Sequence, residues 1–193
     1  MGGIIVGYEL GRLLKKKTIF SERVNGKFSL RRNFSIRKNS NVLLLGAGGA
    51  SRAIIAGFAK EHAKKITIIN RTIQKAIELT KFSQNLALES ETIPIEECEK
   101  LNESYDFIVN ASSLGLKKES NIVPSKLMND ETVVYDIVYK PVNTELIKEA
   151  KKQNAQIIYG YEMLLGQATR SFEIWLDKKA PYEVMKKSIL GGF

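Results

Sequence analysis

The residues with the plainest chemical use in this chain are glycines. Gly46-Ala47-Gly48-Gly49-Ala50-Ser51 follows the apolar run Val42-Leu43-Leu44-Leu45 without a break. Backbone without side chains can approach an anion closely, and the free N–H groups of a helix's first turn can hold a phosphate. Gly46 supplies a sharp turn, and Gly48 removes a Cβ where a pyrophosphate would approach. Gly49 and Ala50 keep the helix entrance small. A second apolar run, Ile66 to Ile69, ends at Asn70-Arg71-Thr72, with Lys75 one helical turn further on. A carboxylate at that tip would accept from ribose hydroxyls and repel a 2′-phosphate. Here Arg71 can fork onto a phosphate, Thr72 can donate, and Asn70 can bond the ribose without charge. These residue types favour NADP over NAD. The plainer alternatives are a glycine turn in some other α/β protein and an Arg71 that is simply a surface residue after a strand.

The elements that must position these residues follow from the same stretch. Strand, glycine turn, helix, strand and polar tip occur in the order a dinucleotide-binding βαβ unit requires. Ala53, Ile54, Ile55 and Phe58 give the helix an apolar face toward the sheet. Downstream, the spacing predicts a helix over 74–88, with Ala76, Ile77, Leu79 and Leu86 packing inward, and a short strand over 92–95. Asp106 to Val109 reads as a buried strand. It ends at Asn110-Ala111-Ser112-Ser113-Leu114-Gly115-Leu116, small and polar residues suited to the carboxyl edge of an open sheet, where cofactors lie. Thr132 to Val134 leads into Asp136-Ile137-Val138-Tyr139 and then Pro141. A helix follows over 144–153, capped by Asn143 or Thr144. A strand over 156–158 precedes Gly160, and a last amphipathic helix over 162–176 carries Met163, Leu164, Ala168, Phe172 and Trp175. The expected fold is α/β and Rossmann-like: a doubly wound, mainly parallel sheet over residues 41–193, with a short basic N-terminal αβ appendage over 1–40.

Composition narrows the class. With 193 residues, 44% hydrophobic and 26% charged, the chain can bury a core, and no apolar run approaches the length of a membrane span. The start of the chain lacks the pattern of a secretory signal. The single cysteine, Cys98, excludes an internal disulfide and suits a reducing cytoplasm. The single histidine, His62, cannot build a His-rich metal site, and it reads as a solvated or helix-capping residue; no metal is expected. Residues 1–41 hold five Lys and five Arg against Glu9 and Glu22, so eight of the chain's nine net positive charges fall there. That excess is either a solvated basic face or a site for phosphate-rich ligands. Within it, Tyr8 to Leu14 has helical spacing, Thr18 to Phe20 reads as a short strand, and Val24-Asn25-Gly26-Lys27 is a hairpin turn. Phe28 to Leu30 and Phe34 to Ile36 alternate as edge strands do.

Two resemblances follow from these residues. GGIIVGYELGR and IFSERVNGKFSLRRNFSI resemble the middle of orotate phosphoribosyltransferases, around their flexible basic loop. That likeness implies phosphoribosyl pyrophosphate binding through Arg23, Lys27, Arg31 and Arg32. The acidic pair and Thr-Thr-Gly phosphate loop of that family are replaced here by the glycine turn after Leu45, so the segment reads as a fragment joined to something else. Residues 41 to about 180 resemble the C-terminal NADP-binding domain of shikimate dehydrogenases. The carriers are VLLLGAGGASRA, INRT, VNASSLGL, VVYDIVYKPVNTELIKEA and YGYEMLLGQATRSFEIW. This resemblance implies that Gly46, Ala47, Gly48, Gly49 and Ala50 hold the pyrophosphate, and that Asn70, Arg71, Thr72 and Lys75 surround the 2′-phosphate. It further implies that Ser112, Ile137 and Gly160 line the nicotinamide half, and that Tyr139 and Gln167 reach shikimate or 3-dehydroshikimate. By residue type alone, Tyr139 is a strand-end aromatic and Gln167 an exposed helical amide. Tyr159 and Glu162 depart from the Asp and Gly often found at their places. The family's substrate domain, with its Lys-Asp pair for proton transfer, is not recognised before Asn41, which implies NADP binding without efficient turnover. No membrane partner is expected, nucleic-acid binding is disfavoured by the lack of a recognisable motif, and pairing as a homodimer stays open. A non-catalytic nucleotide-binding protein is the remaining alternative.

Overall fold

The computed structural model describes residues 36–116 and 121–191, together with the backbone of Ser21–Val24 and Lys27–Leu30. Those two short strands, β1 (Ser21–Val24) and β2 (Lys27–Leu30), pair antiparallel with Val24 opposite Lys27. The hairpin expected around Asn25-Gly26 is thus present in its arms, while the strand expected at Thr18 to Phe20 lies outside the described residues. The turn itself lies outside the described residues. So do the helix expected from Tyr8 and most of the strand expected at Phe34 to Ile36.

The rest is one six-stranded sheet. Its strands are β3 (Asn41–Leu45), β4 (Lys65–Asn70), β5 (Glu89–Pro94), β6 (Phe107–Asn110), β7 (Val133–Asp136) and β8 (Gln156–Tyr159), in the spatial order β5-β4-β3-β6-β7-β8. Every neighbouring pair is parallel. The chain winds outward from β3 to one edge, then returns to the centre and winds to the other, so the order reverses between β3 and β6. In open parallel sheets, the crevice at the carboxyl ends of such a pair is where ligands bind.

Parallel strands covered on both faces must be apolar on both faces, and β3 shows this directly. Val42 and Leu44 join a core with Ile54, Ile55 and Phe58 of α1 (Gly49–Lys60) and with Ala76 and Leu79 of α2 (Ile73–Gln84). Leu43 and Leu45 join a second core with Leu146, Ile147 and Ala150 of α3 (Glu145–Lys152). Ile54, Ile55 and Phe58 are fully buried, each contributing about 2 kcal/mol or more. Phe58 meets Phe107 edge-on, with ring centroids 5.2 Å apart. Two further helices complete the described chain, α4 (Gly160–Leu176) and α5 (Tyr182–Gly191). No helix among the described residues is long and apolar enough to cross a membrane.

Several expectations need correction. α2 stops at Gln84, and the chain reverses through Ala87 at φ 55° before entering β5. Leu86 therefore faces solvent at 40% exposed, and Leu88 takes the buried place. β5 begins at Glu89, earlier than Thr92, and Ile95 already belongs to a 3-10 turn. Trp175 does not pack: it is 81% exposed near the end of α4. α5 was not expected, and it buries none of its residues.

Candidate functional site

The glycine turn lies at the reversal point. Gly46 has φ +101°, and a Cβ there would stand 2.8 Å from the backbone of Ala111 and 2.9 Å from Cβ of Ser112. Only glycine lets the turn after β3 pass the chain leaving β6 so closely. The turn is then pinned from both sides. The Gly46 N–H donates to the Ile69 carbonyl at 2.7 Å, and the Ala111 N–H to the Leu45 carbonyl at 2.8 Å. The buried Ser51 stitches the turn internally: its hydroxyl donates to the Gly46 carbonyl (2.9 Å) and accepts from the Gly48 N–H (3.2 Å).

Gly48 and Gly49 are glycines for a different reason. A Cβ at either would meet no atom within 4 Å. Protein packing does not exclude a side chain there, and the backbone faces open space at the start of α1. The first turn of α1 contains no acidic residue. Its free N–H groups and helix dipole are therefore available to an anion, with no carboxylate competing. These observations fit a dinucleotide pyrophosphate.

One strand away, Asn70-Arg71-Thr72 forms the tip of β4. The Asn70 amide donates to the Thr72 carbonyl at 2.8 Å, which folds the tip back before α2 starts at Ile73. Arg71 and Lys75 are both exposed, and neither forms an ion pair with a carboxylate among the described residues. Two uncommitted cations beside an amide and a hydroxyl fit a 2′-phosphate.

On the other side of the reversal point, the ends of β6, β7 and β8 meet in a buried polar network. Asp136, fully buried, accepts at Oδ1 from the Asn110 amide (2.9 Å) and the Val138 N–H (3.0 Å), and at Oδ2 from the Thr144 hydroxyl (2.6 Å). Burial pushes its carboxyl above the ordinary carboxylate range, against the pull of these three donors. Asn110 also shapes the loop that follows it. Its amide donates to the Leu114 carbonyl (2.9 Å), and its Oδ1 accepts from the Ser112 hydroxyl (2.6 Å) and N–H (3.1 Å). Thr144 in turn caps α3, accepting from the Ile147 N–H at 3.3 Å. Gly160, the first residue of α4, sits against the same chain: a Cβ there would lie 2.5 Å from the Ile137 carbonyl oxygen.

The sheet thus brings most of the residues singled out in the sequence to one edge. In spatial order these are Asn70 to Lys75 beyond β4, Gly46 to Ala50 beyond β3, Ser112 beyond β6, Ile137 beyond β7 and Gly160 beyond β8. Tyr139 is 45% exposed past the end of β7, and Gln167 is half-buried on α4. The unusual pair Tyr159 and Glu162 has a local use, since the Glu162 carboxylate accepts from the Tyr159 N–H (3.2 Å) at the start of α4. Sequence reasoning missed Asp136 and Ser51 as organisers. The available signal for Asp136 was a carboxylate closing an otherwise apolar strand, Val133-Val134-Tyr135-Asp136. Cys98 is no nucleophile here, because burial pushes its thiol up to about 11.

Comparison with known proteins bears on this edge directly. Residues 29–154 match the family model described as shikimate/quinate 5-dehydrogenase, and residues 160–190 match that of the shikimate 5′-dehydrogenase C-terminal domain. The chain belongs to the shikimate/quinate 5-dehydrogenase family. A relative from Nitrosopumilus maritimus, named shikimate dehydrogenase (NADP(+)), is 57% identical over 84% of this chain and 59% of its own length. The shikimate 5-dehydrogenase of Listeria monocytogenes, solved in complex with shikimate and NAD, superposes with a TM-score of 0.78 at 26% identity, over 96% of this chain and 62% of that one. A shikimate dehydrogenase solved in complex with NADP+ gives a TM-score of 0.75 at 29% identity, over 97% and 61%. The chain spans about three-fifths of the length of the dehydrogenases it matches. The family match begins at residue 29, within the segment that resembles a phosphoribosyltransferase in sequence.

Proposed function

We propose that this chain is the NADP-binding part of a dehydrogenase that interconverts 3-dehydroshikimate and shikimate. The observation that carries the cofactor preference is the tip of β4, where Arg71 and Lys75 stand exposed with no carboxylate to accept from a ribose. The relative from Nitrosopumilus maritimus bears the name of an NADP(+) enzyme, which supports the same reading. In this reading Gly46 to Ala50 and the first turn of α1 hold the pyrophosphate. Asn70, Arg71, Thr72 and Lys75 hold the 2′-phosphate, and Ser112, Ile137 and Gly160 border the nicotinamide. When bound, NADPH supplies the hydride. The chain's own residues position that group and keep its two halves apart along the sheet edge. Tyr139 and Gln167 are the side chains assigned to the substrate. Reduction also needs the carbonyl held in place and a proton source within reach. The family resemblance assigns those to a substrate domain with a Lys-Asp pair, so the described residues account for cofactor binding and part of substrate positioning, not for proton transfer.

Titration tests this reading. NADP is expected to bind roughly ten- to a hundredfold more tightly than NAD, because its 2′-phosphate gains charged hydrogen bonds. Arg71→Ala removes most of that preference and leaves NAD binding unchanged. Equal, weak binding of the two dinucleotides to the unsubstituted chain would refute the reading. The alternative, a phosphoribosyl pyrophosphate module on Arg23, Lys27, Arg31 and Arg32, has only the sequence resemblance in its favour. The family match from residue 29 takes Arg31 and Arg32 into the dehydrogenase family instead.

A further inference from the structure

We infer that Asp136 is a positioning residue whose clasp on Asn110 and Thr144 sets the nicotinamide half of the cofactor site, independently of the adenosine half. The inference rests on the NADP reading above.

The argument starts from what the clasp joins. Asn110 ends β6, Val138 follows β7, and Thr144 caps α3, and all three donate to the one buried carboxylate. Asn110 then fixes the loop carrying Ser112, through the Ser112 hydroxyl and N–H and the Leu114 carbonyl. The Ser112 hydroxyl passes the order on by accepting from the Leu114 N–H at 3.1 Å. A second contact holds the far end of the same loop. Gly115 has φ +94°, and a Cβ there would meet the Thr144 side chain at 3.0 Å, so the loop closes directly onto the clasp. The third border residue is tied in as well: the Ile137 N–H donates to the Asn110 carbonyl at 3.0 Å, and Gly160 packs on the Ile137 carbonyl. Ser112, Ile137 and Gly160 therefore share one organiser whose three side-chain hydrogen bonds go to other residues, Asn110, Val138 and Thr144. None of its hydrogen bonds reaches Asn70 to Lys75, three strands away across β6 and β3.

A carboxylate is the group suited to this. It offers acceptor capacity for three donors in a place where an amide would turn a donor toward another donor. Asp136→Asn keeps the shape and loses that polarity, and Thr144→Val deletes one arm. Thr144→Ser keeps the hydroxyl.

The test is a pair of affinities on the full chain: NADP, and adenosine 2′,5′-bisphosphate, which carries only the adenosine half. Asp136→Asn weakens NADP about tenfold and changes the bisphosphate by less than about twofold. Thr144→Val shows the same split, and Thr144→Ser, which keeps the hydroxyl, retains the parent's NADP affinity, which keeps the inference testable if Asp136→Asn does not fold. A general structural role would lower both affinities together. Equal losses, or no loss for NADP in folded Thr144→Val, would overturn the inference. If the unsubstituted chain binds neither ligand, the NADP reading fails first and this inference falls with it. If both bind and only the split is missing, the NADP reading survives alone.

Discussion

Gly46 and Gly48 are two positions apart and answer to different constraints. Gly46→Ala must fit a Cβ 2.8 Å from the Ala111 backbone at φ +101°, where a side chain is strained whatever the space. It is expected to destabilise the fold by about 1–3 kcal/mol, read as a lower urea midpoint. Gly48 has φ −93° and open space around its missing Cβ, so Gly48→Ala leaves the midpoint within about 0.5 kcal/mol of the parent. If the proposed site is right, the same substitution is expected to weaken NADP binding, because the added methyl would point into the open space assigned to the pyrophosphate. A Gly48→Ala variant that loses stability and keeps its affinity would assign the open space to something other than the cofactor. Asp136 gives the residue scale a pH signature. Burial raises its carboxyl above the ordinary 3.8, so the folded chain holds that proton more firmly than the unfolded one. Its contribution to stability is full below that value and is lost as pH rises through the folded pKa. Asp136→Asn cannot titrate. The parent's stability relative to that variant therefore falls as pH rises above the ordinary carboxylate value and through the raised one in urea titrations; a relative stability that rises with pH would contradict the sign.

At the scale of elements, the junction of β8 and α4 is the tightest contact along the cofactor edge. Within a helix, Gly→Ala ordinarily gains about 1 kcal/mol. At Gly160 the new Cβ would lie 2.5 Å from the Ile137 oxygen and 2.6 Å from the Val138 oxygen, both backbone atoms that cannot move aside cheaply. Gly160→Ala is expected to cost about 1–3 kcal/mol net, visible as a lower thermal midpoint, in spite of the better propensity. A midpoint that rises would show that α4 can shift away from β7. This junction also marks how far the sequence could be read. β3, α1 and β4 were legible because apolar runs, a glycine turn and a helical apolar face all agree locally. The end of α2 was not, because Leu86 keeps helical spacing while the reversal at Ala87 is imposed by the docking of β5. The α5 helix was not, because its inner face, Tyr182, Met185, Lys186 and Ile189, is only half-buried and includes a lysine, while the apolar Val184 and Leu190 stand exposed. The Asp136 clasp was hidden for another reason: its side-chain partners lie 26 and 8 positions away, a relation that only the sheet creates.

Across the whole molecule, charge and apolar exposure are both unevenly placed. Since eight of nine net charges fall in residues 1–41, the sheet and its helices are close to neutral overall. Among the described residues, the cationic groups that the proposed site offers a dinucleotide are Arg71, Lys75 and the start of α1, all acting at short range. Apolar exposure concentrates at the other end of the chain, on the last turn of α4 and on α5: Ile174 at 62%, Trp175 at 81%, Leu176 at 54% and Val184 at 64%. Trp175 is the chain's single tryptophan, so its fluorescence reports on this face without interference. With the indole in water, the folded chain should emit much as free tryptophan does. Acrylamide should quench it nearly as well before urea unfolding as after. The large apolar surface beside it is of the kind that usually meets another surface, so the same signal is a sensor for one. A native emission already shifted to the blue and shielded from acrylamide would mean that the face is covered in solution. Dilution then separates the causes: a second copy of the chain releases the indole as the concentration falls, and cover from within the same chain does not.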